Sequence, residues 1–385
     1  MKILQVFHIF SLPHGGGTTD VVYKLSRALS QRGHEVTIYT SDFELDQEYI
    51  DSLPGVEVCP FHSWFNLSQI HLTPGLATRT KRKLKDFDIV HIHQFRSFQN
   101  IVIWYYARKY GIPYIVDAHG STPRTGKAGL KWLFDVIFGY RILKDAGRVV
   151  AETETGVNEY KMFGVDADKI VLITPPFAIE EFSRLPPRGL FREKYHIKEK
   201  HIVLFLGRIH WIKGLDFLVE SFYELTKSRT DTILVIVGND DGYKPTLDRL
   251  IGRLNLADKV LFTGFLGGVD KLSALVDADV LVQTSIYEQG TGVPFEAILC
   301  NTPIIVSKYT SASENVTKID AGYLVEYGNK KELCDTMQYV LDHPGQAKSK
   351  TQRAKEYIKA NLSIDKVVEK YEHLYIDCIT ERRVN

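Results

Sequence analysis

Residues 280–306 read V-L-V-Q-T-S-I-Y-E-Q-G-T-G-V-P-F-E-A-I-L-C-N-T-P-I-I-V. Two short apolar runs, Val280–Val282 and Ile304–Val306, read as buried strands. Between them lie a glycine-bearing turn and a helix start, so the stretch is a strand–loop–helix–strand unit of a parallel sheet. Pro294 is placed as the first helical residue, where its missing N–H costs nothing. The N–H groups of about 291–296 then lie at a helix N-terminus, whose partial positive charge favours an anion. Glu288 precedes that anion site and Glu296 stands in the first turn, which makes a cradle for a phosphate-linked sugar. In the other reading, Glu296 only complements the helix dipole and Glu288 is a solvated loop residue. The stretch alone leaves both open.

The same grammar extends outward. Strand His201–Leu206 enters G-R-I-H-W-I-K-G (207–214), and a helix follows from about Leu215. Strands Ile233–Val237 and Val260–Phe262 alternate with helices over 245–255 and 269–277, and helices fill the tail from about 330. The N-terminal half repeats the pattern: strand Ile3–Phe7, a loop S-L-P-H-G-G-G-T-T, a helix stopped at Gly33, and strand Glu35–Thr40. Thr18 or Thr19 is the expected cap of that helix. Three more strands are expected at Asp88–His93, Pro113–Asp117 and Arg148–Ala151. The fingerprint G-x-G-x-x-G is not met, but Asp42 ends the second strand, so this corner leaves a nicotinamide cofactor open. Four prolines within 174–189 mark a linker. The division is 1–180, linker 174–189, and 190–363.

Bulk properties narrow the classes. A chain of 385 residues exceeds one ordinary core. Charged residues at 25% and hydrophobic ones at 44% are those of a soluble globular protein, and a net charge of +1 excludes a dedicated nucleic-acid binder. Four cysteines without a C-x-x-C pair fit a reducing compartment. No apolar run approaches a membrane span, so a cytoplasmic location is expected, with peripheral contact at the inner membrane face left open. Two segments bear on that contact. The run R-T-K-R-K-L-K (79–85) reads first as a solvated helix face, with an anionic surface as the alternative. The stretch L-K-W-L-F-D-V-I-F-G-Y-R-I-L (130–143) is read as a core helix, although it resembles a surface-binding amphipathic one.

The chemistry concentrates in a few residues. Arg208 and Lys213 flank a strand-to-helix loop, and two fixed cations at a helix start can hold a diphosphate and stabilise it as a leaving group. His119 follows a strand at the ligand-binding edge of a sheet. His91 and His93 alternate with apolar residues and lack a third ligand nearby, so they read as ordinary strand residues. Asp277-Ala278-Asp279 matches D-x-D literally but sits between a helix and a strand, so no metal is expected there.

G-R-I-H-W-I-K-G together with E-Q-G-T-G-V-P-F-E-A resembles the paired signature of the retaining nucleotide-sugar glycosyltransferases of family 4. The likeness extends to the N-terminal glycine loop, D-I-V-H-I-H and D-A-H-G. It implies the GT-B fold, an α/β architecture of two Rossmann-like, doubly wound parallel-sheet domains facing across a cleft. In it the C-terminal helix, about 364–385, would pack back on the first domain. Carried over by position, Arg208 and Lys213 would hold the donor diphosphate. Glu288 would bind hydroxyls of the transferred sugar, aided by the N–H groups of Gly290, Thr291 and Gly292. Glu296 would take the nucleotide ribose, and Gly16 and Gly17 would lie against the phosphates. His119 would stand near the sugar, and Gly264, Phe265 and Leu266 near the base.

The chain departs from the family pattern in two places. Gly290-Thr291-Gly292 stands after Gln289, where a phenylalanine–glycine pair is common, and P-P-F (175–177) replaces a frequent P-N-G. The activity implied is transfer of a hexosyl unit with retention from a nucleotide-diphosphate sugar. A UDP-sugar is favoured, with GDP-mannose next, and the acceptor is a glycan, lipid-linked or small-molecule hydroxyl. No cofactor or metal is implied, the nucleotide sugar being a substrate. The alternatives are a nucleotide-sugar epimerase of the same fold and a non-catalytic nucleotide-sugar-binding protein.

Overall fold

The computed structural model describes residues 1–384 except 68, 69, 125, 126, 289 and 291; residues 12–15, 66, 67, 70, 383 and 384 are described by backbone alone. Two units form, Met1–Phe177 with Leu362–Asn385, and Ala178–Asn361. Residues 178–189, read from sequence as linker, therefore belong to the second unit. Phe182 and Phe191 are buried there, and Asp277 accepts the N–H groups of Gly189 and Arg192.

The first unit holds β1 (Lys2–Val6), β2 (Glu35–Ser41), β3 (Val56–Phe61), β6 (Ile89–His93), β7 (Tyr114–Asp117), β8 (Arg148–Ala151) and β9 (Ile170–Leu172), with a separate antiparallel pair β4 (Phe65–Leu67) and β5 (Ile70–Leu72). Its parallel sheet runs β3-β2-β1-β6-β7-β8-β9. Every residue of β6 and β7 is buried, as expected where both faces of a parallel sheet are covered. The second unit holds β10 (His201–Leu206), β11 (Thr232–Val237), β12 (Val260–Gly264), β13 (Val280–Gln283), β14 (Ile304–Ser307) and β15 (Tyr323–Val325). Its order is β12-β11-β10-β13-β14-β15, all parallel. Chain order reverses at β10/β13, the switch point where open α/β sheets take ligands.

The two crossings of the chain are bonded side by side within the first unit. Phe177 N–H donates to the Leu362 carbonyl at 2.9 Å, and Ile364 N–H to the Phe177 carbonyl at 3.1 Å. The last helix, Ile364–Val384, then buries Val367, Val368, Tyr371, Leu374, Tyr375 and Cys378 against Ile3, Leu25, Ile89 and Ile115 of the first unit. That spacing of three and four residues is one helical face.

Four local expectations need correction. The first long helix, Leu12–Gln31, starts earlier than expected and breaks at Gly16 (φ 58°, ψ −140°). Thr19 does not cap it; its hydroxyl donates to the Ile9 and Ser11 carbonyls at 3.4 and 3.2 Å. The helix after β13 is Gly292–Leu299, so Pro294 is its third residue, still in the first turn where an N–H has no helical partner. The stretch 130–143 is a core helix only in part: Ile142 and Leu143 are buried and Phe134 and Phe138 pack against the core, but Leu130, Trp132, Leu133, Val136 and Ile137 are exposed, while Asp135 is buried. The run 79–85 does form an exposed helix end, with Arg79 and Lys83 facing Glu57 and Asp86.

Glu372 on the last helix accepts from Arg32 at 2.9 Å and pairs with His34 at 2.8 Å, and the Arg32 bond first among these holds its carboxyl below the usual glutamate value of 4.5. A depressed carboxyl contributes stability that is complete above its unfolded value and lost as pH falls through its folded value. Thermal melts between pH 3 and 6 are therefore expected to show a falling first-unit transition on acidification. Glu372→Gln is expected to flatten that slope; an unchanged slope would count against this anchor.

Candidate functional site

The carboxyl ends of β10 and β13 are joined backbone to backbone. The Thr284 hydroxyl donates to the carbonyls of Lys213 (3.1 Å) and Gly214 (2.9 Å), and Ile286 N–H to the Ile212 carbonyl (2.8 Å). Gln283 Nε2 donates to the Leu206 carbonyl at 3.1 Å. Two glycines, Gly214 at the end of G-R-I-H-W-I-K-G and Gly238 after β11, serve close approaches. A Cβ on Gly214 (φ 61°) would lie 2.2 Å from the Thr284 carbonyl oxygen, and one on Gly238 would lie 1.9 Å from that of Gly207. The Gly238 N–H in turn donates to the Gly264 carbonyl at 2.9 Å. The ends of β12, β11, β10 and β13 thus form one continuous ledge.

On that ledge stand the expected side chains of the second unit. Lys213 pairs with Glu288, which also accepts from the Ser285 hydroxyl at 3.1 Å; both charged groups are largely buried. Arg208 is exposed and pairs with Asp241. Glu296 pairs with Lys271 at 2.9 Å. Each expected carboxylate and cation therefore has an opposite charge beside it, a pattern the sequence did not foretell for Asp241 and Lys271. His210 caps the short turn Trp211–Lys213, accepting the Ile212 N–H at 3.3 Å. Burial, with help from Arg208 and Lys213, lowers the His210 pKa, so its ring nitrogen is an acceptor near neutrality. Gly292 opens the helix Gly292–Leu299, and a Cβ there would meet nothing within 4 Å. Gly290 lies in the preceding loop; Gln289 and Thr291 lie outside the described residues. Gly264 ends β12 and Phe265 and Leu266 follow it, with Phe265 exposed and Leu266 buried.

Gly16, Gly17 and His119 belong to the first unit. A Cβ on either glycine would meet nothing within 4 Å, so open space adjoins the break in the helix. His119 (φ 42°) is only 4% exposed at its side chain and is held at both ring nitrogens. Nδ1–H donates to Glu152 at 2.7 Å, and Nε2 lies 2.9 Å from His93 Nδ1. His93 Nε2–H donates to Gln5 Oε1 at 2.6 Å, and Tyr375 O–H to His91 Nδ1 at 2.9 Å. Burial opposes charge on His119, but Asp117 and Glu152 outweigh it and raise its pKa. Burial, with neighbouring imidazoles, holds His91 and His93 well below the ordinary histidine value, hence neutral. The two strand histidines are thus members of a buried polar chain reaching Glu152, rather than ordinary strand residues.

Among the described residues, Asp117, His119 and Glu152 offer ligand atoms within 4.8 Å of one another, close enough to share a cation. Asp277 and Asp279 of the D-x-D lie at the amino end of β13 and are occupied by structural contacts. Asp279 pairs with Arg188 at 2.6 Å and accepts Ile202 N–H at 3.0 Å. A cavity of about 630 Å³ lies at the amino ends of β7 and β8, away from their ligand-binding edge, where Arg148 pairs with Glu381.

Two family models match the chain: Glycosyltransferase Family 4 over residues 15–181 and Glycosyl transferases group 1 over 188–360. The N-acetyl-alpha-D-glucosaminyl L-malate synthase of Bacillus anthracis is 22% identical, covering 96% of each chain. D-inositol 3-phosphate glycosyltransferase 2 of Catenulispora acidiphila is 25% identical over 86% of this chain and 82% of its own. The structure of Anabaena HepE in complex with UDP and glucose superposes with a TM-score of 0.83 at 18% identity, covering 98% of this chain and 100% of that one.

Because Gly214 combines positive φ with a carbonyl in the place of a Cβ, Gly214→Ala is expected to destabilise the second unit by about 2–5 kcal/mol. The measurement is chemical denaturation followed by second-unit Trp211 emission, against Gly292→Ala, which has open space and should cost under about 1 kcal/mol. Equal losses in the two variants would refute the close-approach argument.

Proposed function

The chain belongs to glycosyltransferase family 4 and is a GT-B glycosyltransferase with a nucleotide-sugar donor; from that premise we propose that it transfers a hexosyl unit with retention of configuration and without a metal. The observation that carries this reading is the ledge at the β10/β13 switch point, which presents Arg208, Lys213 and Glu288 together. A donor diphosphate would compete with Glu288 for Lys213 and with Asp241 for Arg208. Glu288, displaced from its ammonium partner, is then an acceptor for sugar hydroxyls, and Glu296 for those of the ribose. The N–H groups at the start of the helix Gly292–Leu299 add their dipole to the same pole.

As the C1–O bond to phosphate breaks, charge grows on the leaving diphosphate, and the two cations lower the barrier most at that moment. The acceptor hydroxyl forms its bond to C1 on the face the diphosphate leaves, and its proton passes to the departing phosphate oxygen. No carboxylate nucleophile is invoked. His119 has both ring nitrogens engaged and offers positive charge rather than a free donor. A UDP-sugar is the favoured donor, with GDP-mannose next; the resemblance in fold to a protein bound to UDP and glucose supports that order. The acceptor is a hydroxyl on a glycan, a lipid-linked sugar or a small molecule. The curated relatives named for L-malate and D-inositol 3-phosphate make small anionic acceptors the first to assay.

Donor choice is read by thermal shift with UDP-, GDP- and ADP-sugars, since a ligand that binds only the native state raises its stability. With the donor so found, Glu288→Ala is expected to lower kcat by about 10²–10³ while the protein stays folded. Retention of most activity would remove Glu288 from this role. Turnover is expected to survive a chelator, and the product anomer, read by NMR, is expected to match that of the donor. Inverted product would end the retaining reading, and chelator-abolished turnover the metal-independent one.

A further inference from the structure

Residues 128–145 form one helical stretch: α-helix Ala128–Phe134, a π-helical turn Asp135–Gly139 and α-helix Tyr140–Asp145. It is apolar on two faces: Ile142 and Leu143 are buried in the first unit's core, with Phe134 and Phe138 packed against it, and a second apolar face is left uncovered. Asp135 is fully buried, whereas Leu130 (64%), Trp132 (52%), Leu133 (48%), Val136 (47%) and Ile137 (43%) are exposed. A helix normally turns its apolar face to the core. Here the orientation is fixed from below by charge. Arg96, itself buried, donates to Asp135 at 2.7 and 2.9 Å, and Arg124 donates to it at 2.8 Å. Arg124 also reaches the Tyr140 hydroxyl at 2.9 Å. Gly139 allows the helix to lie this close, since a Cβ there would stand 2.8 Å from Asp135 Oδ1 and 3.0 Å from the Phe95 ring. Rolling the helix to hide Trp132 and Ile137 would pull Asp135 from two guanidinium groups, and a buried charge stripped of its partners is costly.

The charges around the apolar face choose its occupant. Between Lys127 and Asp145 the cations are Lys127, Lys131, Arg141 and Lys144, and the acids are the buried, paired Asp135 and the terminal Asp145, which accepts from Trp104 at 3.0 Å and faces Arg108 at 3.8 Å. Lys127, Arg141 and Lys144 are exposed and Lys131 is half-buried. Tyr105, on the neighbouring helix Phe98–Tyr110, is also exposed. Large apolar side chains, with Trp132 and Tyr140 among them and the exposed cations Lys127, Arg141 and Lys144 around them, match the boundary between lipid chains and anionic headgroups. We infer that residues 128–144 dock the first unit onto an anionic lipid surface. Among the described residues no helix is long and apolar enough to cross a membrane, so the association is peripheral. The inference concerns the first unit's surface and stands apart from the donor reading.

The full chain is to be sedimented with phosphatidylglycerol–phosphatidylcholine vesicles and with phosphatidylcholine vesicles alone. Pelleting is expected with the anionic vesicles and expected to weaken at high salt. The triple variant Trp132→Ser, Leu133→Ser, Ile137→Ser is expected to lose about tenfold or more in binding. The double variant Lys127→Glu, Lys144→Glu is expected to lose it comparably while leaving the apolar face intact. Both variants should keep the wild-type melting temperature and donor-induced shift. Three results would overturn the inference: no pelleting, equal pelleting on neutral vesicles, or binding unaltered in a folded triple variant. So would a concentration-dependent dimer that the triple variant dissolves, because the occupant would then be a second copy of this chain.

Discussion

The approach of the Gly214 backbone to the Thr284 carbonyl governs the second unit's working edge. No side chain can intervene there, and the Thr284 hydroxyl closes the gap by bonding to two successive carbonyls of the facing loop. That fusion fixes the distance between Lys213 and Glu288, which lie 75 residues apart in sequence. Sheet order supplies the rest. Because β10 and β13 are neighbours from which the chain departs in opposite directions, their loops open a crevice that the crossover helices do not fill.

Once formed, the site is electrically satisfied. Lys213 holds Glu288, Arg208 holds Asp241, and Lys271 holds Glu296. A ligand gains from such a site only if it can replace both members of a pair, offering negative charge to the cation and hydrogen-bond donors to the carboxylate. A phosphate alone or a free sugar alone does half of this. A sugar joined to a diphosphate does both, which is a physical basis for recognising the linkage rather than either part.

Much of this was legible in the sequence. The long central strands announce themselves as apolar runs, and the two glycine-bearing motifs place Arg208, Lys213 and Glu288 on strand-to-helix loops and Glu296 in the helix that follows. What escaped follows from competing physics. Edge strand β3 is half-exposed, interrupts its apolar residues with Glu57 and carries Pro60, which an edge tolerates, while edge strand β9 is apolar but only three residues long. Helix 128–134 has the density of a core helix, but the buried Asp135, held by Arg96 and Arg124, and the core packing of Phe134, Phe138, Ile142 and Leu143 leave its other apolar face outward. The histidine chain was missed for a similar reason. Gln5, His93, His119 and Glu152 sit on or just after four different strands, β1, β6, β7 and β8, and only their lateral order in the sheet puts them in line.

The paired crossings at Phe177 and Leu362 carry a consequence for how the chain is made. The second unit is one uninterrupted segment, whereas the first draws on chain from both sides of it and lacks the helix Ile364–Val384 until the second unit has been made. Until then Ile3, Leu25, Ile89 and Ile115 have no Tyr371, Leu374 or Tyr375 above them. Synthesis thus runs against the order of the halves: the unit started second can complete its core first, and the unit started first waits, with an apolar sheet face uncovered, for the helix Ile364–Val384.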